Sequence, residues 1–268
     1  MLKQRIITAF LLLVLGVGAL VLTPVNEFIM PASLLLGLMG YEWAKLTGWT
    51  SWSRITAYTT TSVAMLWLVM SLTPNVIESA WWQILTIWLT LGVLLAVVSY
   101  QKAGTWADSW AVMLRLFGMV WLVNFALAFT LLPLLVGIGW FIYAMSLVWV
   151  MDSFAYFAGK RFGRHKLAVN VSPGKTWEGV AGGLLAVALY AMAIATWQDQ
   201  PVMIFMAIAL LVASLSVAGD LFESALKRQA GVKDSSQMLP GHGGWLDRFD
   251  ALLLALPVYL LCYQWWLA

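Results

Sequence analysis

Charge is scarce in this sequence. Fifteen Lys and Arg and twelve Asp and Glu make up 10% of 268 residues, where a soluble domain averages about 25%. Apolar residues make up 62% and the mean hydropathy is +0.87. One globule cannot bury that much apolar surface, and what stayed outside would drive aggregation, so a soluble enzyme is excluded. Cysteine is nearly absent. The single Cys262 rules out a disulfide framework and a cysteine-based zinc site within one chain. No Arg-rich tail or RNA-binding signature occurs, so the net charge of +3 gives no reason to expect a nucleic-acid partner.

Long apolar runs are abundant instead. A bilayer core takes about 20 apolar residues per helix, and cutting the runs at polar turns yields segments at 6–23, 28–46, 55–72, 81–98, 111–131, 133–151, 179–197, 201–222 and 249–267. The stretch from Ala111 to Met151 is too long for one crossing, and Pro133, Gly137 and Gly139 offer the break. The first segment follows Lys3 and Arg5 but lacks a small-residue cleavage site, which reads as a retained anchor. The fold expected is therefore an all-α polytopic membrane protein with about nine transmembrane helices.

Basic residues sort by loop. Lys3, Arg5, Lys45, Arg54, Lys102, Arg115, Lys160, Arg161, Arg164, Lys166, Lys175, Lys227, Arg228, Lys233 and Arg248 all fall on alternate loops. The positive-inside rule then puts the N-terminus in the cytoplasm and the C-terminus outside. Trp pairs at 49/52, 81/82, 106/110 and 265/266 read as interfacial anchors. Residues 1–132 form a region of spans on short turns, with the part expected of a scaffold. Residues 133–268 add two polar cytoplasmic loops, 152–178 and 223–248, long enough to carry function.

The first loop opens at Asp152 and holds the cationic cluster Lys160 to Lys166. Ser172-Pro173 reads as a helix N-cap with Pro at the first helical position. Such a helix start favours phosphate, and Lys175 stands beside it. The Gly174-Lys175-Thr176 triplet is not a P-loop, because Val169 stands where that motif needs glycine and no preceding strand is expected. In the second region Ser216, Asp220, Glu223, Ser224 and Lys227 recur at helical spacing on one face. A carboxylate at the inner end of a membrane helix is costly unless it is paired or binds a cation. Asp247 and Asp250 follow, with Arg248 between them, behind Gly241, Gly243 and Gly244, which permit close backbone approach to an anion.

Structural ion pairs with Lys227 and Arg248 would account for Asp220 or Asp247 singly, but not for the whole set. Several carboxylates with hydroxyls and no Cys-His cluster make a hard-oxygen site suited to magnesium bound partly through phosphate oxygens. That chemistry is phosphoryl or nucleotidyl transfer. His242 alone reads as a loop hydrogen-bonder. Glu42 and Asp108, beside short cytoplasmic turns, read as solvated, and Glu27, Glu78 and Asp199 as outer-turn charges.

Ser224 to Asp250, SALKRQAGVKDSSQMLPGHGGWLDRFD, resembles the C-terminal signature of the phosphatidate cytidylyltransferase (CDP-diglyceride synthase) family. The shared features are Ser224, Lys227-Arg228, Lys233-Asp234, His242-Gly243-Gly244 and Asp247-Arg248-Phe249-Asp250, with the spacing kept. Asp152, Ala155-Tyr156, Gly159, Phe162-Gly163 and the Ser172 to Gly179 box are similar too, although Gly174 replaces a frequent second lysine. The specific match covers roughly residues 140–267.

The resemblance implies conversion of CTP and phosphatidate to CDP-diacylglycerol and pyrophosphate at the cytoplasmic face of a bacterial inner membrane, by a homodimer among membrane lipids. It implies magnesium with a monovalent partner such as potassium, held by Asp220 and Asp247 with Ser224 and Asp250. The catalytic set it points to is Asp220, Asp247, Lys227 and Arg248. Substrate contacts fall to Asp152, Ser172, Lys175, Thr176, Glu178, Ser224, Lys233, His242, Gly243 and Gly244. Two rivals are a CTP-dependent polyprenol or phytol kinase, which would release CDP, and a secondary transporter. A transporter would need a midplane site in broken, repeated helices, and no inverted repeat is visible.

Overall fold

The computed structural model describes residues 21–73 and 75–266, with positions 14, 16 and 18. Most of the expected first segment therefore lies outside the described residues. The helices are α1 (Ile29–Leu46), α2 (Trp52–Leu72), α3 (Ala80–Ala103), α4 (Trp110–Phe162), α5 (Trp177–Trp197), α6 (Val202–Gln229), α7 (Leu246–Phe249) and α8 (Leu252–Trp266). Among the described residues α2, α3, α4, α5 and α6 are long and apolar enough to cross a membrane. The protein is a helical membrane protein.

The expected break in the long stretch occurs. Unbroken, the 53 residues of α4 would extend about 80 Å at 1.5 Å per residue, far beyond one bilayer. Non-helical backbone at Gly137 (φ 81°, ψ 160°) interrupts it, while Pro133 stays inside the helix. Polar residues in the spans turn inward on their own helix. In α2, Thr59, Thr60 and Ser62 donate to the carbonyls of Ile55, Thr56 and Tyr58, which satisfies hydroxyls that lipid could not.

One departure from an all-helical chain is a two-stranded antiparallel sheet, β1 (Lys166–Ala168) and β2 (Ser172–Thr176), pairing Lys166 with Thr176 and Ala168 with Ser172. This overturns two expectations. Ser172 is not a helix N-cap: Pro173 tolerates an extended edge, and the helix starts only at Trp177, where Thr176 Oγ1 accepts the Gly179 N–H at 3.1 Å. Strands are also present here, β1 preceding the Gly174-Lys175-Thr176 triplet and β2 containing it, so a P-loop is excluded by Val169 alone.

The chain divides into two compact units, each drawn from three stretches of sequence. The first comprises residues 1–76, 107–141 and 226–250. Its core is aromatic: Phe28, Phe129 and Phe141 pack with ring centroids 5.2–6.4 Å apart, and Trp43 meets Trp121 edge-on at 5.7 Å. Arg115 closes the end of α1, donating to the Thr47 carbonyl at 2.6 Å and lying over the Trp49 ring.

The second unit comprises residues 77–106, 142–225 and 251–268. Here Tyr143 gathers Tyr190, Phe205 and Tyr259, and small residues bring α5 against α4, Gly182 facing Ala158 and Gly183 facing Met151, the close approach that membrane helices use. Interfacial anchoring fits the exposed Trp52, Trp81, Trp265 and Trp266 but not all the paired tryptophans. Trp82 and Trp106 are buried, and Trp106 packs on Tyr100 and Phe222 while donating to Ser99.

Candidate active site

Each unit holds a lysine–aspartate pair built from the residues singled out by sequence. In the second unit β2 presents Lys175, whose Nζ donates to Asp220 Oδ2 at 2.5 Å. Asp220 Oδ1 accepts from Ser224 Oγ at 3.2 Å, one turn further along α6. Asp152, on α4, lies in the field of both Asp220 and Lys175. Both members of the Lys175–Asp220 pair keep about a quarter of their side-chain surface open. Glu178, in the first turn of α5, accepts the backbone N–H groups of Arg164 and His165 and meets His165 Nδ1 at 2.6 Å. It organises the basic loop, and Thr176 is buried as the cap of that helix.

In the first unit Lys227 donates to Asp247 Oδ1 at 2.5 Å, and here both side chains are at most 10% exposed. The other oxygen, Oδ2, accepts from the Gly244 N–H at 2.7 Å and from the Ser235 N–H and hydroxyl at 2.8 Å. Burial works against the Asp247 charge, but the Lys227 ammonium and the N–H groups of Gly244 and Ser235 outweigh it. They hold the carboxyl below its ordinary value. Arg248, Lys233 and Gly241 are exposed, and Asp250 is half-buried at the end of α7. His242 donates its backbone N–H to the Leu239 carbonyl, while its buried Nδ1 has no hydrogen-bond partner among the described residues.

The solvated reading of Glu42 is overturned. Its side chain is fully buried and accepts from Ser236 Oγ at 2.6 Å, Leu246 N at 2.7 Å, Trp245 N at 3.0 Å and Ser235 Oγ at 3.1 Å. A lone acid in an otherwise apolar helix is costly unless it is answered by donors, and that cost was the available signal. Ser235 and Ser236, beside the conspicuous Lys233-Asp234, gave none.

A family model described as the cytidylyltransferase family matches residues 3–266. The chain belongs to the cytidylyltransferase family. Relatives of this member include the phosphatidate cytidylyltransferase of Pseudomonas aeruginosa, 39% identical over 272 residues that cover 97% of this chain and 96% of the relative. That of Haemophilus influenzae is 34% identical over 98% of this chain and 99% of the relative. That of Thermotoga maritima is 43% identical over 127 residues, 45% of this chain and 47% of its own.

Magnesium is the metal that the resemblance implies for such a member. Among the described residues no group of three or more His, Cys, Asp and Glu side chains is arranged to hold a metal ion. A cage made of protein alone is therefore absent from those residues. The donors are nonetheless hard oxygens, the Asp220 carboxylate and the Ser224 hydroxyl standing beside Lys175. Magnesium commonly takes one or two carboxylates and fills its remaining positions with water and phosphate oxygens. The residues fit a cation that is completed by its substrate.

Proposed function

We propose that this protein converts CTP and phosphatidate to CDP-diacylglycerol and pyrophosphate. The observation that carries this reading is similarity to phosphatidate cytidylyltransferases over 97–98% of the chain. An oxygen of the lipid phosphate attacks the α-phosphorus of CTP. A new P–O bond forms, the bond to the bridging oxygen of the β-phosphate breaks, and pyrophosphate leaves with the electron pair. The attacking phosphate is already anionic near neutral pH, so the reaction asks for charge neutralisation and alignment and not for a general base. This suits residues rich in Asp, Lys and Gly.

Lys175, Lys227 and Arg248 are read as phosphate contacts, and Asp152 as orienting cation or nucleotide. Asp220 with Ser224, and Asp247 with Asp250, are read as ligands of magnesium, with a monovalent ion such as potassium as its partner. When bound, magnesium would neutralise phosphate charge and stabilise the leaving pyrophosphate.

The same reading places the protein in a bacterial inner membrane as a homodimer with about nine crossings, its polar loops in the cytoplasm and its C-terminus outside. A C-terminal reporter is expected to be inaccessible from the cytoplasm; cytoplasmic labelling would reject that topology. Purified protein given labelled CTP and phosphatidate is expected to yield a cytidine-containing lipid and pyrophosphate, dependent on magnesium. Release of CDP with a simple lipid phosphate would identify a kinase instead.

A further inference from the structure

We infer that Glu42, far from the signature in sequence, is a positioning residue for Asp247. Among the described residues its carboxylate is met by donors: two backbone N–H groups at the start of α7 and two serine hydroxyls. The site therefore demands an acceptor with no hydrogen of its own. Ser235 links the two carboxylates, its Oγ standing 3.1 Å from Glu42 Oε2 and 2.8 Å from Asp247 Oδ2. Its single hydroxyl proton serves one of them at a time, while its backbone N–H serves Asp247 throughout. Glu42 thus fixes both flanks of Asp247: the serines on one side and the backbone of residues 245–246 on the other.

Gly244 supplies independent support. A Cβ there would collide with Ser235 Oγ and Glu42 Oε1. Four hydrogen bonds in a fully buried place leave the Glu42 carboxylate little room to retreat, so this glycine of the His-Gly-Gly run admits the Glu42 carboxylate to the loop. Phe249 holds the far end of α7 by stacking edge-on against Phe125 at 5.9 Å, while Glu42 ties the backbone at the near end.

This inference rests on the proposed cytidylyl transfer and on the part given there to Asp247. Full-length Glu42→Gln protein in detergent micelles tests it. The amide would set a donor against donors. Turnover is expected to fall about 10- to 100-fold, the range for residues that orient a reacting group from behind, with KM for CTP changed by less than about threefold. In an Asp247→Asn background the same change should cost less than about twofold more, because the group it positions is already lost. Amide hydrogen exchange at Trp245 and Leu246, read without any assay of activity, should accelerate.

Unchanged turnover in Glu42→Gln, or a full additional loss in the Asp247→Asn background, would overturn the inference. So would unchanged exchange at both amides. Should Glu42→Gln fail to fold, Ser236→Ala decides, since it removes the shortest Glu42 bond without touching Asp247. A several-fold loss of turnover with KM preserved is expected, and unchanged turnover overturns the inference. If the unaltered protein makes no cytidine-containing lipid, the functional reading has failed and this inference with it, whereas faster exchange would still establish the Glu42 tie itself.

Discussion

The two lysine–aspartate pairs have the same separation, 2.5 Å, and different surroundings. Lys227 and Asp247 are nearly closed off, and the second oxygen of Asp247 is taken by three donors from its own unit. Lys175 and Asp220 stand half-open, with Ser224 as a further donor to Asp220. A buried pair is organised before any ligand arrives and is costly to break. A half-open pair contributes little to stability but can exchange its lysine for a cation or a phosphate. The contrast assigns stiffness to one carboxylate and adaptability to the other.

The largest effect should come from Asp247→Asn. It removes the Asp247 charge from the buried Lys227 ammonium, a loss of about 3–5 kcal/mol for a broken buried pair, and turnover should drop about 100-fold or more if Asp247 serves the metal. Denaturant unfolding in micelles and a CTP assay measure the two separately. Asp220→Asn should match that loss of turnover with about 1 kcal/mol or less of stability. Equal destabilisation of the two variants would erase the distinction. Lys175→Ala comes next, with KM for CTP or phosphatidate raised about tenfold as one phosphate contact is lost; unchanged values for both substrates would return it to a surface charge.

The smallest effect is pH-dependent. Because the Asp247 carboxyl lies below its ordinary value in the folded protein, its contribution to stability is complete above the usual carboxylate range. It is lost as the pH falls through the lower, folded-state value. The melting temperature should therefore decline on acidification. Lys227→Met, which lacks the pair, should show a shallower decline over the same range.

Helix positions were legible because apolar runs of bilayer length leave few alternatives, and α1, α3 and α5 begin within two residues of the expected segments. The break at Gly137 was among three offered positions; choosing between them needed backbone geometry, since proline is tolerated within a membrane helix. The structure also joins residues singled out by sequence, Asp220 with Ser224 and Lys227 with Asp247. What sequence could not supply was pairing over long separations. Thr176 replaced Ser172 as cap because strand pairing with residues 166–168 outweighed a local Ser-Pro signal. Glu42 looked solvated because the groups that answer it lie in another part of the chain.

That separation has a consequence for how the protein is made. Glu42 lies 193 to 204 residues before the groups it binds, so α1 emerges from the ribosome long before the loop that needs its carboxylate. During synthesis a buried acid must wait, answered by water or by lipid headgroups, until the last fifth of the chain arrives. The signature segment, for its part, cannot take its final form in a fragment that begins after α1. A chain that carries the signature in its second half is thus completed, as a folded object, by one charge supplied from its first.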